Sequence, residues 1–161
     1  MKNKIKSFLI IILLFVCIFL ILNKNYQNKI LKENQNINSS NTIYSVKINE
    51  TVLKVEVASS NNERAKGLSG RESLSADTGM LFVFNNSGKY SFWMKDMNFP
   101  IDIIWIDENS KIVFVEKDAK PESYPTLLGG LVDAKYVLET VSGFASKNNI
   151  KIGDTVDFLS Q

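Results

Sequence analysis

The segment Ile101–Asp107, IDIIWID, is apolar on both of the faces that a β-strand would present. Successive side chains of a strand point to opposite sides of the sheet. Ile104 and Ile106 would therefore share one face with Asp102. Ile101, Ile103 and Trp105 would share the other face. A strand that is apolar on both faces is typical of the middle of a sheet, so the segment predicts a central strand.

Runs typical of β-strands continue through most of the chain from residue 43 onward. They read IYSVKI, TVLKVEVA, GMLFVF, KYSFWMK, IDIIWID, KIVFVEKD, AKYVLET and DTVDFL, with a turn predicted at NNSG between the third and fourth. Two short helices are predicted, NNERAKGL with Asn61 or Asn62 as its cap, and SGFASKNN with Ser142 as its cap. The pattern predicts an all-β fold with two short helices: a β-sandwich or partly closed barrel, jelly-roll-like, behind an N-terminal transmembrane helix.

The first 22 residues carry Lys2, Lys4 and Lys6 and then an apolar run from Phe8 to Leu22. Residues 5–22 would span about 27 Å as a helix, close to the hydrocarbon thickness of a bilayer. The polar sequence NKNY follows the run, which is a poor cleavage site, so an uncleaved signal anchor is favoured over a removed signal peptide. We expect a single-pass protein of the cell membrane, with its domain on the extracytoplasmic side.

Residues 23–42 contain seven asparagines and few apolar side chains. Such a composition offers too little burial to offset the entropy of ordering. The sequence therefore predicts three parts: an anchor over 1–22, a disordered Asn-rich tether over 23–42, and a globular β domain over 43–161.

The composition narrows the possible chemistry of the domain. The chain has no histidine, and its single cysteine, Cys17, lies in the apolar leader. Histidine is the commonest general base near neutral pH and a common metal ligand, so the sequence predicts neither a metal site nor a cofactor. Residues 1–42 have a net charge of about +5, whereas residues 43–161 have about −3. The domain thus lacks the basic face that nucleic-acid binding requires.

Several motifs in a fixed order resemble one known family. They are ERAKGLSGRESL, GMLFVF, FWMKDMNFPIDIIWID, KYVLET and SGFASKNNIKIGD. Together they resemble, over residues 50–159, the prokaryotic domain of unknown function 192 family, whose uncharacterised members are membrane-anchored or secreted. The resemblance implies a compact β-sandwich in an extracytoplasmic location and implies no activity. The chain departs from the family pattern at Asp96-Met97, where many members have Asn-Thr.

Asp102 is the first candidate site residue because its predicted face is otherwise apolar. An unpaired buried carboxylate is costly, so a cationic partner is expected from Lys95, Arg64 or Arg71. The group would then be either part of a polar pocket or a structural ion pair. Glu139, which alternates with Val137 and Val141, could complete a carboxylate pair with Asp102.

The remaining candidates flank these carboxyl groups. Arg64 and Arg71 border the loop GLSGR and could bind an anion. The favoured alternative for this pair is solvated charge or a strut that holds the helix. Trp93 would be a stacking platform if exposed and core if covered. The long segment KDAKPESYPTLLGGLVD, with Tyr124 and Leu127 at its centre, is predicted to be a lid, a partner contact or the cover of a sheet edge.

The sequence favours a non-catalytic binding or accessory protein of the envelope. Its ligand would be small and either anionic or polyhydroxyl, held in a pocket formed by Arg64, Arg71, Trp93, Lys95, Asp102 and Glu139. One alternative is a hydrolase or lyase that uses Asp102 and Glu139. Another is a purely structural envelope component.

Overall fold

The computed structural model describes residues 18–29 and 43–160. Residues 18–29 are helical, so the helix covers residues 23–29 of the predicted tether. Extending a helix by one residue adds one hydrogen bond. Within the described ranges, no helix is long and apolar enough to cross a membrane. The rest of the predicted anchor, residues 1–17, and the tether from residue 30 to 42 lie outside the described residues.

The β domain forms a compact unit over Ile43–Gln161. Its strands are β1 (Ile43–Ile48), β2 (Thr51–Ala58), β3 (Thr78–Gly88), β4 (Ser91–Phe92), β5 (Ile101–Ile106), β6 (Ile112–Ala119), β7 (Leu128–Gly129), β8 (Ala134–Val141) and β9 (Val156–Ser160). Its helices are α1 (Asn61–Lys66), α2 (Phe144–Lys147) and a short 3-10 helix (Pro121–Ser123). The predicted all-β character with two short helices is confirmed for this domain.

Seven strands form one sheet in the order β6-β5-β8-β3-β2-β1-β9, and β4 pairs with β7 in a separate ribbon. All neighbouring strands are antiparallel except β2 and β3, which are parallel. The sheet curls until its two edges meet at one end, where Lys111 forms a bridge with Thr155. The fold is therefore a curled, partly closed sheet. It does not have the two facing sheets of a sandwich or jelly roll.

The curled sheet is apolar on both sides. The inner core draws side chains from all seven strands and is completed by Phe144 and Ala145 of α2. The outer core lies on the other face and includes Phe82, Met94 and Trp105. Both faces of the sheet therefore have to be shielded from water. The curvature of the sheet shields the inner face, and chain segments that cross the outer face shield that side.

β5 lies between β6 and β8, as its sequence predicts. All six of its side chains are fully buried. Ile104 and Ile106 belong to the inner core, whereas Ile103 and Trp105 belong to the outer core. The prediction of a central strand is confirmed, and its alternation assigns each residue to one of the two cores.

The ribbon of β4 and β7 covers the outer core at Trp105. The indole Nε1 donates a hydrogen bond to the backbone oxygen of Tyr90 at 2.8 Å. Gly129 of β7 lies so close to the indole that a Cβ at this position would collide with the ring. Gly129 also has a φ of 71°, which favours glycine. This close approach fixes the ribbon on the sheet.

Three local predictions are corrected. Ser60 caps α1 and forms a capping box with Glu63, in place of the predicted Asn61 or Asn62. Gly143 precedes α2, and Ser142 instead donates a hydrogen bond to Asp118. The predicted turn NNSG is part of β3, whose strand continues to Gly88.

Candidate functional site

A cavity of about 360 Å³ opens on the outer face of the sheet. It lies between the α1 helix with its following loop and the segment that carries β4. Five aromatic side chains contribute to its wall: Phe82, Phe84, Tyr90, Phe92 and Trp93. Of the six predicted site residues, Arg64, Trp93 and Glu139 line this cavity, and the other three do not.

The aromatic wall follows from strand alternation and ring packing. Phe82 and Phe84 are two residues apart on β3 and so point to the same side of the sheet. The ring of Phe84 stacks on Tyr90, with centroids 3.5 Å apart, and Phe82 meets Phe92 edge to face at 4.9 Å. The rings hold one another in place, so the wall is rigid.

Trp93 lies at the mouth of the cavity and is 52% exposed. Its ring makes an edge contact with Tyr124, with centroids 5.9 Å apart. Of the two predicted roles, core and platform, the exposure fits the platform. Lys95 lies over the same ring at 6.0 Å and is exposed outside the cavity lining.

Glu139 is the one carboxyl group inside the cavity. On β8 it pairs with Met80 of β3 and with Ile103 of β5, so its side chain shares the outer, apolar face. It is only 6% exposed. In the part of the chain that the structure describes, no group donates a hydrogen bond to this carboxyl.

Burial raises the pKa of Glu139 to about 8, and the positive charge of Arg71 opposes that rise. Desolvation has the larger effect because the Arg71 guanidinium is already paired. It donates two hydrogen bonds to the carboxylate of Glu56, at 2.6 and 2.7 Å. That pairing lowers the pKa of Glu56. Glu139 is therefore mainly a neutral acid at pH 7.

Arg64 braces the α1 helix against the sheet. Its guanidinium donates to the backbone oxygen of Val83 at 2.9 Å, to Asn61 at 2.6 Å and to the backbone oxygen of Ser59. It also lies 5.0 Å from the centroid of Phe84. Neither arginine is thus free to bind an anion as predicted. Arg64 has the alternative role of a strut, and Arg71 pairs with Glu56.

Asp102 lies on the inner face and is fully buried. Its carboxylate accepts hydrogen bonds from the backbone N–H groups of Asp118 at 2.9 Å, Gly143 at 3.2 Å and Ala145 at 2.8 Å. The expected cationic partner is wrong, because three backbone donors at the end of β6 and the start of α2 take its place. Asp102 is a structural group that ties these two elements to β5.

Asp102 and Glu139 cannot act as a catalytic pair. Asp102 pairs with Thr140 across β5 and β8, and Glu139 is the next residue along β8. Adjacent residues of a strand point to opposite faces. The two carboxyl groups therefore lie on opposite sides of the sheet, and the predicted pairing is wrong.

Sequence reasoning missed Phe82, Phe84 and Leu127 as cavity residues. The strand GMLFVF signalled that Phe82 and Phe84 share a face, but not which face is open. Leu127 comes from the long segment predicted as a lid, contact or edge cover, and it is 62% exposed at the cavity. That segment also contains the 3-10 helix and β7.

No cluster of three or more histidine, cysteine, aspartate or glutamate residues that could hold a metal occurs among the described residues. The methionines that could offer soft ligands are used in packing. Met94 is 1% exposed and Met80 is 6% exposed, both in the outer core.

The Asp102→Asn variant tests the structural role of Asp102. The amide puts an N–H₂ donor in place of one acceptor oxygen, so at least one backbone donor loses its partner. We expect the free energy of unfolding to fall by about 2–4 kcal/mol, since hydrogen bonds to a charged group contribute about 1.5–3 kcal/mol each. Urea unfolding gives the value. Asp133→Asn, at an exposed position, is the control, and a loss below about 0.5 kcal/mol in both variants would remove this role.

The Glu139→Gln variant tests the burial of an ionisable group. Because the pKa is raised on folding, Glu139 favours the folded state when protonated, and that contribution is lost as the pH rises towards 8. Glutamine cannot ionise. We expect the stability of the variant relative to wild type to increase by up to about 1.4 kcal/mol per pH unit between pH 5 and 8.

Urea unfolding at pH 5, 6, 7 and 8 measures this trend. Glu108→Gln, which changes an exposed carboxyl group, should show a constant difference from wild type. A pH-independent difference for Glu139→Gln as well would contradict the assignment of a raised pKa.

Comparisons with known proteins agree with this fold. The chain is similar to a crystal structure from Sinorhizobium meliloti, described as a candidate transcription regulator, with 28% identity and a TM-score of 0.67 over 71% of this chain and 92% of that one. It is also similar to a protein of unknown function from Novosphingobium aromaticivorans, with 30% identity and a TM-score of 0.67 over 71% of this chain and 84% of that one. Among curated proteins none matches.

A family model matches residues 44–158, nearly the whole β domain. Its description is DUF192, Uncharacterized ACR. The resemblance predicted from the ordered motifs is confirmed. The chain belongs to the DUF192 family, the domain of unknown function 192.

Proposed function

We propose that the domain is a non-catalytic binding module whose cavity takes one small ligand with a flat, largely apolar body. The observation that carries this proposal is the cavity of about 360 Å³ with aromatic walls and one buried carboxyl group, Glu139. Concave, mostly apolar sites with few polar groups are the usual form of small-molecule sites.

The geometry favours an apolar body over the anionic or polyhydroxyl ligand expected from the sequence. The two arginines expected to hold an anion are engaged, Arg64 by Val83 and Asn61 and Arg71 by Glu56. The lining lysine, Lys66, lies exposed to water at the rim. The several hydroxyls of a sugar would face phenylalanine rings. Each hydroxyl buried without a partner costs about 1–3 kcal/mol.

Trp93 and Leu127 give the mouth of the cavity an apolar rim. Both are more than half exposed, and Trp93 is held from one side by Tyr124. A ring that enters the cavity would gain contact with the indole at the entrance as well as with the phenylalanines inside. Aromatic pairs of this kind contribute about 0.5–1.5 kcal/mol beyond area burial.

A binding role also suits the chemistry better than hydrolysis or elimination. Glycosidase-type hydrolysis places two carboxyl groups on either side of the scissile bond. Here Asp102 is held by three backbone donors on the other face of the sheet. Asp102 therefore cannot serve as the second carboxyl group beside Glu139.

We infer that this module works at the outer surface of the cell membrane as an accessory protein of the envelope. The support is the apolar run from Phe8 to Leu22 behind three lysines. Runs of this length and flanking charge are typical of signal anchors. Residues 5–22 would be the contact with the membrane.

Indole is a suitable probe of the cavity because it is flat, mainly apolar and small. We expect indole to shift the methyl NMR signals of Leu68, Met97 and Leu127 in the full-length chain, since these side chains line the cavity. Ala65→Trp places a bulky ring at an exposed lining position of α1 and should abolish the shifts.

The matched control is Asn62→Trp, which adds the same ring to an exposed position of α1 outside the cavity lining. Indole should bind this variant as it binds wild type. Shifts that are absent in wild type, or that persist unchanged in Ala65→Trp, would overturn the proposed site.

A further inference from the structure

We infer that Glu139 selects ligands that direct a neutral oxygen acceptor, such as a carbonyl or ether oxygen, into the cavity. This inference rests on the proposed function, since it concerns the same cavity. It specifies which chemical group of the ligand points into the cavity. It also assigns a specificity-determining role to Glu139.

The first step is that Glu139 is buried yet lacks a partner within the protein. No fully buried side-chain nitrogen or oxygen in the described residues lacks a hydrogen-bond partner, so the Glu139 carboxyl, which has none, must be reached from the cavity. Asp102, the other buried acid of the sheet, has three. The carboxyl of Glu139 has none there and lines the cavity instead. The Glu139 carboxyl group can therefore form hydrogen bonds with a molecule that occupies the cavity.

The second step is the protonation state. The strand neighbours of Glu139 are Met80 and Ile103, which are apolar. The charged group that acts on it, Arg71, is bound to Glu56. Desolvation then dominates, and the pKa of Glu139 is about 8. A protonated carboxyl is a hydrogen-bond donor.

The other titratable groups of the cavity do not compete for this role. Arg64 is engaged by Ser59, Val83 and Asn61. The hydroxyl of Tyr90 donates to the backbone oxygen of Asn86 at 2.7 Å. Lys66 lies exposed at the rim. The hydroxyl of Ser69 donates to the backbone oxygen of Lys95, and Ser91 and Trp93 are exposed. Among the buried groups of the lining, the donor without a partner is therefore the O–H of Glu139.

The third step concerns charged ligands. An ammonium group would enter past Arg64 and Lys66, whose charges repel it. A carboxylate would be attracted by the same charges but would lose its water in an apolar cavity, which costs far more than the desolvation of a neutral oxygen. A neutral oxygen is not repelled and accepts the hydrogen bond from Glu139.

Three probes of similar shape separate these possibilities: acetophenone, with a carbonyl oxygen; ethylbenzene, with no polar atom; and 1-phenylethylammonium, with a positive charge. Each is titrated into the full-length chain at pH 6, and the methyl signal of Met97 reports occupancy. We expect acetophenone to bind roughly 3–10-fold more tightly than ethylbenzene, the factor that one net hydrogen bond supplies. The ammonium compound should bind most weakly.

Two variants assign the preference to the donor. Glu139→Gln keeps an N–H donor and should keep the preference for acetophenone. Glu139→Leu removes the donor and leaves the carbonyl oxygen unpaired, so the preference for acetophenone should be abolished or reversed in favour of ethylbenzene. In wild type the preference should fade above pH 8, as Glu139 ionises, whereas in Glu139→Gln it should not change with pH. The pH series in wild type needs no variant, and circular dichroism checks that both variants fold.

The outcomes separate the two proposals. Equal binding of acetophenone and ethylbenzene to wild type would overturn the selection of an oxygen acceptor while leaving a binding cavity. Tightest binding of the ammonium compound, lost in Glu139→Gln, would also overturn it and would assign an ionised Glu139. If none of the three probes shifts the Met97 signal, the proposed function fails, and this inference fails with it.

Discussion

The burial of β5 on both faces is the constraint from which the rest of the domain follows. A strand with Ile104 on one side and Trp105 on the other cannot leave either side in water without exposing a large apolar area. The curvature of the seven-stranded sheet covers the inner side, with α2 closing one part. The outer side is covered by the short two-stranded β4–β7 ribbon, the loop after α1 and the segment between β4 and β5.

This outer cover is incomplete, and the gap in it is the cavity. Its aromatic wall combines Phe82 and Phe84 of β3 with Tyr90, Phe92 and Trp93 from the segment that carries β4. Glu139 lies in this gap on a strand position that would suit a leucine or valine. A buried acid without a partner lowers the stability of the folded state at neutral pH. Groups held in such unfavourable surroundings are frequently functional, which is why the binding proposal centres on Glu139.

Much of this architecture could be predicted from the sequence, because strand alternation and turn residues are local signals. The alternation of IDIIWID assigned each β5 side chain to its core, and the bounds of β1, β2 and β8 follow their apolar patterns. Arg64, Trp93 and Glu139 were also predicted as site residues, and they line one cavity. Glu139 stood out because it alternates with the apolar residues Val137 and Val141.

The failures came from contacts between distant segments. The partners of Asp102 are backbone N–H groups 16 to 43 residues away, and no side-chain pattern encodes them. The opposite orientation of Asp102 and Glu139 depends on the register between β5 and β8, which sequence alone does not supply. The engagement of Arg71 by Glu56 likewise depends on how the loop after α1 folds back over β2.

The central claim is that Glu139 remains a neutral acid inside an apolar cavity. Its side-chain carboxyl carbon reports this state directly, because the ¹³C chemical shift changes when the group ionises. A pH titration followed by NMR should give a midpoint near 8, so that the group is mainly protonated at pH 6. A midpoint near 4.5, the value of an unperturbed glutamic acid, would contradict the account.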